Sequence, residues 1–187
     1  MDGFPAPAMR QRPRGHDGVS LLELMIVLLL VGSVLAWGLP TFATSSRNAA
    51  QTAEVNLFVQ AVYLARSEAI KRNGVVSLCP TTNGATCTPS ADWRQGWLVF
   101  VNDDHDSPAI RDAGEALLRV YASWDAGHIS SNRSTLSFRA FGQVGVTATV
   151  TFCDQRGSAK AKAVIISQTG RPRISTRNSS GGALTCP

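Results

Sequence analysis

Two arginines set apart by a single proline, in Gly170-Arg171-Pro172-Arg173, form the pattern in this chain with the most definite chemistry. A guanidinium is planar, permanently charged and forked, and it matches paired phosphate oxygens better than an ammonium does. Glycine permits a tight turn before the pair, and proline fixes the chain between them. An extended strand would point both side chains the same way, and Arg177 would share that face if the strand ran on. Lys160 and Lys162 add charge upstream. Such a cluster can grip a phosphate backbone without reading base sequence, weakly per subunit and with steep salt dependence. No aromatic residue follows Phe152, so base stacking has no platform in this segment.

A second pattern is a lone carboxylate in apolar surroundings. Glu23 is the one charged residue between Val19 and Pro40. A helix of ~20 such residues spans the ~30 Å of a bilayer core. Inside it an ionised glutamate costs roughly 2.5–3.5 kcal/mol on insertion scales, unless it lies at the interface or finds a partner. A cut between Gly18 and Val19 would supply that partner, the new terminal amine of a neighbouring subunit. Arg10, Arg12 and Arg14 make the leader cytoplasmic by the positive-inside tendency and place the body across the membrane.

Other residues suggest chemistry without completing it. Asn102-Asp103-Asp104-His105-Asp106 clusters oxygens as calcium likes them, but lacks the EF-hand spacing and its final glutamate. It reads as an exposed acidic loop. His16, His105 and His128 have no evident nucleophile partner, and there is no P-loop, triad signature or pair of catalytic carboxylates. The chain therefore reads as a non-enzyme with no cofactor and no metal. Its four cysteines lack the Cys-x-x-Cys or His pairs of a zinc site, and across the membrane they read as disulfides. Of the three pairings that four cysteines allow, Cys79–Cys87 flanks a turn-rich loop and Cys153–Cys186 pins a Gly/Ser-rich tail. The second is worth roughly 3–4 kcal/mol by chain entropy.

The elements that must position these residues follow from periodicity. The 187-residue length suggests a single globular domain behind the apolar segment. A helix runs from Val19 through Pro40, which would kink it, and continues as a stripe of Val55, Phe58, Val62, Ala65 and Ala69. Glu68 can pair with Arg72, and Asn73-Gly74 marks the stop. Strands are expected at Val75–Cys79, Trp97–Val101, Leu117–Tyr121, Thr135–Arg139, Val144–Phe152, Ala163–Gln168 and Arg171–Thr176, with loops between, including Asp125–Arg133. Trp93, Trp97, Phe100 and Phe138 read as core. The net charge of +5 is uneven: residues 139–187 hold seven basic residues against Asp154 alone, while residues 19–138 are slightly acidic. That asymmetry points to an anionic partner for the basic part.

Gly18, the Leu21-Leu22-Glu23-Leu24-Met25 run and Pro40 resemble the prepilin segment of type IV pilus and type II secretion proteins. Trp93-Arg94-Gln95-Gly96-Trp97-Leu98-Val99-Phe100, Leu136 to Gly142 and Ile165 to Arg171 are similar to the GspH/FimT minor-pilin group. Together the resemblance covers nearly the whole mature chain. It implies an α+β pilin fold, a long N-terminal helix packed on antiparallel sheet. It also implies a leader (1–18) cut after Gly18 by the prepilin peptidase, with methylation of Val19, where the family usually has phenylalanine. Residues 19–40 would be the transmembrane and assembly helix, with Glu23 as the assembly pair, and 41–187 the globular domain. In FimT minor pilins of natural transformation a Gly-Arg-x-Arg motif contributes to DNA binding, and Gly170, Arg171 and Arg173 match it. The implied partners are double-stranded DNA, other major and minor pilins, the peptidase and the inner membrane of a Gram-negative cell, which the chain crosses once before assembly into an extracellular pilus. The alternative is a type II secretion minor pseudopilin at a fibre tip, and a third reading is a priming subunit without DNA contact.

Overall fold

The computed structural model describes residues 18–88, 90–141 and 147–187, with Leu39 and Pro40 described by backbone alone. The arginines expected to orient the leader, His16, and residues 144–146 of the expected strand at Val144–Phe152 lie outside the described residues. One helix, α1, covers Leu21–Arg72. The chain divides into two units, one ending at Thr44 and the other Ser45–Pro187.

In the first unit the apolar side chains from Leu21 to Phe42 are exposed wherever described. By length and composition this segment can cross a membrane. Ser33 Oγ and Thr41 Oγ1 spend their hydroxyls on the carbonyls of Leu30 and Trp37, at 2.8 and 3.2 Å. Polar groups satisfied within their own helix are compatible with lipid.

In the second unit α1 turns one stripe inward. Val55, Phe58, Ala61, Val62, Ala65 and Ala69 are wholly buried, at the three- and four-residue spacings of an amphipathic helix. Asn73 ends α1 with φ 51°, and Gly74 N–H bonds back to the Ala69 carbonyl at 3.1 Å, a Schellman cap. Glu68 accepts from Arg72 Nε at 2.7 Å.

Two four-stranded antiparallel sheets complete the unit. The first is built of β1 (Val76–Pro80), β2 (Trp97–Val101), β3 (Leu117–Tyr121) and β5 (Leu136–Phe138), ordered β3-β2-β1-β5. The second holds β4 (Gly127–Ser131), β6 (Ala148–Asp154), β7 (Lys162–Ile166) and β8 (Pro172–Ser175), ordered β4-β6-β7-β8. A short 3-10 turn, Ser158–Lys160, joins β6 to β7. One core cluster takes Val76, Leu78 and Trp97 from the first sheet and Val150, Phe152 and Val164 from the second, with the α1 stripe. Phe58 sits at its centre, edge-on to Trp93, Trp97 and Phe152 at centroid distances of 5.7, 5.4 and 5.7 Å.

The outer face of each sheet is covered by a segment tied down with a disulfide. Cys79–Cys87 holds a loop over Leu98, Phe100 and Ala109. Cys153–Cys186 draws the tail across Ala161, Ala163 and Ile165, with Leu184 buried beneath it. Both bonds join the cysteines that spacing pairs.

One element differs from expectation. Asp125–Arg133 is not all loop, because Gly127–Ser131 forms the edge strand β4, paired with β6 from Gly127↔Asp154 to Ser131↔Val150. Its sequence, GHISS, carries a single strong β-former, so pairing with β6 rather than propensity makes it a strand. Gly127 is required there: an added Cβ would lie 2.3 Å from the Cys153 carbonyl oxygen and 2.6 Å from the Trp124 ring.

Candidate nucleic-acid interface

The Gly170-Arg171-Pro172-Arg173 pattern forms the tip and second strand of the β7–β8 hairpin. Ile166 pairs with Pro172, Ile165 with Arg173 and Val164 with Ile174. The turn closes through Gly170 N–H to Ser167 O at 2.9 Å and Ser167 N–H to Arg171 O at 3.2 Å. Gly170 takes φ 70°, the left-handed conformation that closes a short hairpin after its turn. Pro172, which has no N–H, stands at the start of the last strand in the sheet, where a missing donor is tolerated.

Alternation assigns the faces. Val164 and Ile166 join the central core, while Ala163 and Ile165 lie under the tail on the outer face. Arg173, paired with Ile165, therefore stands on the outer face, and Arg171 falls in the same phase two residues earlier. Both residues are exposed, and neither guanidinium has a partner among the described residues.

The remaining basic residues of this segment are placed elsewhere. Lys162 pairs with Phe152, a core residue, and is thus on the inner face, where Nζ donates to Thr52 Oγ1 of α1 at 2.8 Å. Arg156 Nε donates to both oxygens of Asp154 at 3.0 and 2.9 Å, and Nη1 reaches Asn48 Oδ1 at 2.6 Å. Hydrogen bonds from Arg156 hold the Asp154 carboxyl below its ordinary range. Arg177 lies beyond the end of β8 and donates from Nη1 to Gly181 O at 3.0 Å, so the strand does not carry it onto the Arg171–Arg173 face. Lys160 is exposed, but it sits before β7, at the end away from the hairpin tip. Its carbonyl accepts from the buried Gln51 Nε2 at 3.0 Å, and Phe152 O does so at 3.1 Å, which ties α1 to this corner. The local cluster in sequence is therefore split across the two ends and two faces of the sheet.

Arg133 went unnoticed in the sequence, inside a segment read as loop. It is exposed, and its Nε approaches the Thr147 carbonyl at 3.5 Å. In the acidic loop, Asp106 Oδ1 accepts from Asn102 Nδ2 at 3.0 Å and Oδ2 from Ile110 N–H at 2.9 Å. Glu115 likewise accepts from the N–H groups of Asp103 and Asp112 at 2.7 and 3.0 Å. These carboxylates brace their own loop. At the other extreme of the chain, Gly18 and Val19 are exposed ahead of α1, and Glu23 is exposed in its first turn. A carboxylate there is favoured by the helix dipole.

The model of a family described as type II transport protein GspH matches residues 54–170. The chain belongs to the GspH/FimT family of minor pilins. It is 33% identical over 165 residues to the pilin-like protein PilA1 of Thermus thermophilus, covering 84% of this chain and 97% of that protein. Two crystal structures of the type IV minor pilin FimU of Pseudomonas aeruginosa share its fold. One, at 21% identity, has a TM-score of 0.50 and covers 74% of this chain and 97% of FimU. The other, at 22% identity, has a TM-score of 0.51 and covers 78% and 98%. The family match takes in α1 from Glu54 onward and strands β1 to β7, and ends at Gly170, immediately before Arg171.

Proposed function

We propose that this minor pilin binds double-stranded DNA through Arg171 and Arg173 and supports DNA uptake in natural transformation. One observation carries the reading: two exposed guanidiniums with no partner among the described residues lie in phase on an edge hairpin. Arginines not engaged by the fold are available to phosphate. Two contacts make weak, sequence-independent binding, which repetition along a fibre would strengthen. The chain reaches that fibre by cleavage after Gly18, methylation of Val19 and pairing of Glu23 with the terminal amine of an adjacent subunit. Before assembly its apolar helix holds it in the inner membrane.

The test is a titration of labelled duplex DNA with the full chain in non-ionic detergent, beside Arg171→Ala/Arg173→Ala. Binding by the wild type that is lost in a folded double variant supports the proposal. Equal binding by both proteins removes these arginines from it.

A second reading, a minor pseudopilin of type II secretion, is favoured by the family description and by a match that stops before Arg171. It predicts no DNA affinity and association with other pseudopilins.

A further inference from the structure

We propose that a groove on the outer face of the second sheet, between β6 and the C-terminal tail, binds a neutral sugar through the hydroxyls of Ser130, Thr149, Thr151 and Thr185. The proposal does not rest on the DNA-binding reading above.

Strand register builds the floor of the groove. Val150 and Phe152 of β6 belong to the central core, so Thr149 and Thr151 stand on the opposite, outer face. Ser130 follows the core residue Ile129 and pairs with Thr151, which puts it on the same face. Asn132 Oδ1 accepts from Thr149 N–H at 2.9 Å and leaves its amide nitrogen as a donor at the rim. The tail forms the opposite wall. Leu184 is buried against Ala163 and Ile165, and Cys186 is bonded to Cys153, with Thr185 exposed between them. Asn178 Oδ1 accepts from the N–H groups of Ser180 and Gly182 at 3.1 and 2.8 Å, which fixes the turn leading into that wall. The groove has a volume of about 290 Å³. That is near the lower end of the roughly 300–1,000 Å³ of small-molecule sites.

The lining selects the ligand. None of the four hydroxyls has a hydrogen-bond partner among the described residues. Thr151 is the most telling of them, because only 9% of its surface is exposed and it lines the groove. A buried hydroxyl left unpaired costs roughly 1–3 kcal/mol, so its partner must come from the groove itself. Among the described residues no charged side chain lines the groove, so neither an anion nor a cation would meet a counter-charge there. A peptide strand cannot add to β4, whose free edge is already taken. Trp93 N–H donates to Ile129 O at 2.8 Å, and Ser131 N–H to Ala91 O at 2.9 Å. Hydroxyls that both donate and accept match the neighbouring hydroxyls of a sugar, which do the same.

The test is saturation-transfer NMR on the full chain in a polyoxyethylene detergent, which carries no sugar headgroup. The probes are maltotriose, cellotriose and triacetylchitotriose, with trigalacturonate as the charged comparison. At least one neutral probe should bind saturably, and trigalacturonate should bind more weakly. Thr151→Val removes the hydroxyl and should weaken binding about tenfold, as for one hydrogen bond lost from a buried site. Thr151→Ser should restore it. Thr185→Val, at an exposed tail position, should weaken binding without reaching the sheet, while Arg171→Ala/Arg173→Ala should bind as wild type does. Melting temperature verifies that each variant is folded, and Thr185→Val decides if Thr151→Val is not. Absence of saturable binding by all three neutral probes overturns the proposal. Wild-type binding by the valine variants, or a preference for trigalacturonate, overturns it as well. Each of those results leaves the Arg171–Arg173 reading untouched.

Discussion

At the scale of residues, single positions fix the geometry on which everything else depends. Gly170 holds φ 70° at the hairpin tip, where a side chain costs on the order of 1–2 kcal/mol. Gly170→Val should lower the melting temperature and weaken DNA binding together, because the turn sets the phase of both arginines. Gly127→Ala should cost more, since its Cβ would meet backbone oxygen at 2.3 Å, and thermal denaturation will rank the two. Asp154 contributes to the acid dependence. Hydrogen bonds from Arg156 hold its folded-state pKa below the ordinary 3.8. The pair's contribution is therefore complete above pH ~4 and disappears as pH falls through the lower folded value. Asp154→Asn should lower the melting temperature at pH 7, with the difference from wild type closing as the pH falls below the ordinary carboxylate range. A constant difference across that range would refute the linkage.

At the scale of elements, α1 and the two sheets share one core, and Phe58 is its keystone. Phe58→Ala should lose about 3–5 kcal/mol of unfolding free energy, measured by denaturant titration. The disulfides act on the sheets' outer faces. Replacing Cys153 and Cys186 with serine should cost roughly 3–4 kcal/mol and free the tail over Ala163 and Ile165, whereas the shorter Cys79–Cys87 loop should cost roughly 2–3. Protease sensitivity confined to the tail in the first variant would distinguish the effects. Much of this layer was legible in sequence. The α1 stripe, its Asn73-Gly74 stop and strands such as Trp97–Val101 come from period and turn chemistry that act locally. β4 was not legible, because GHISS becomes a strand only by lying against β6.

At the scale of the whole molecule, the chain divides into an apolar unit through Thr44 and a disulfide-bonded unit from Ser45. Glu23→Ala should abolish incorporation into fibres while leaving the folded domain intact, as fractionation of membrane and fibre pools would show. The candidate surface was only partly legible. The in-phase arrangement of Arg171 and Arg173 follows from a two-residue period, which sequence reveals. The separation of Lys160, Lys162 and Arg177 from them does not, because it depends on cross-strand register and on partners such as Thr52 and Gly181. Nearness in sequence gathered charges that the sheet separates. Duplex-DNA affinity of the full chain across a salt series most directly tests whether this pilin holds phosphate backbone. Affinity that falls steeply with salt, and that Arg171→Ala/Arg173→Ala abolishes, is the predicted result. Absence of binding, or binding indifferent to salt and to those two arginines, would contradict it and leave a structural pseudopilin.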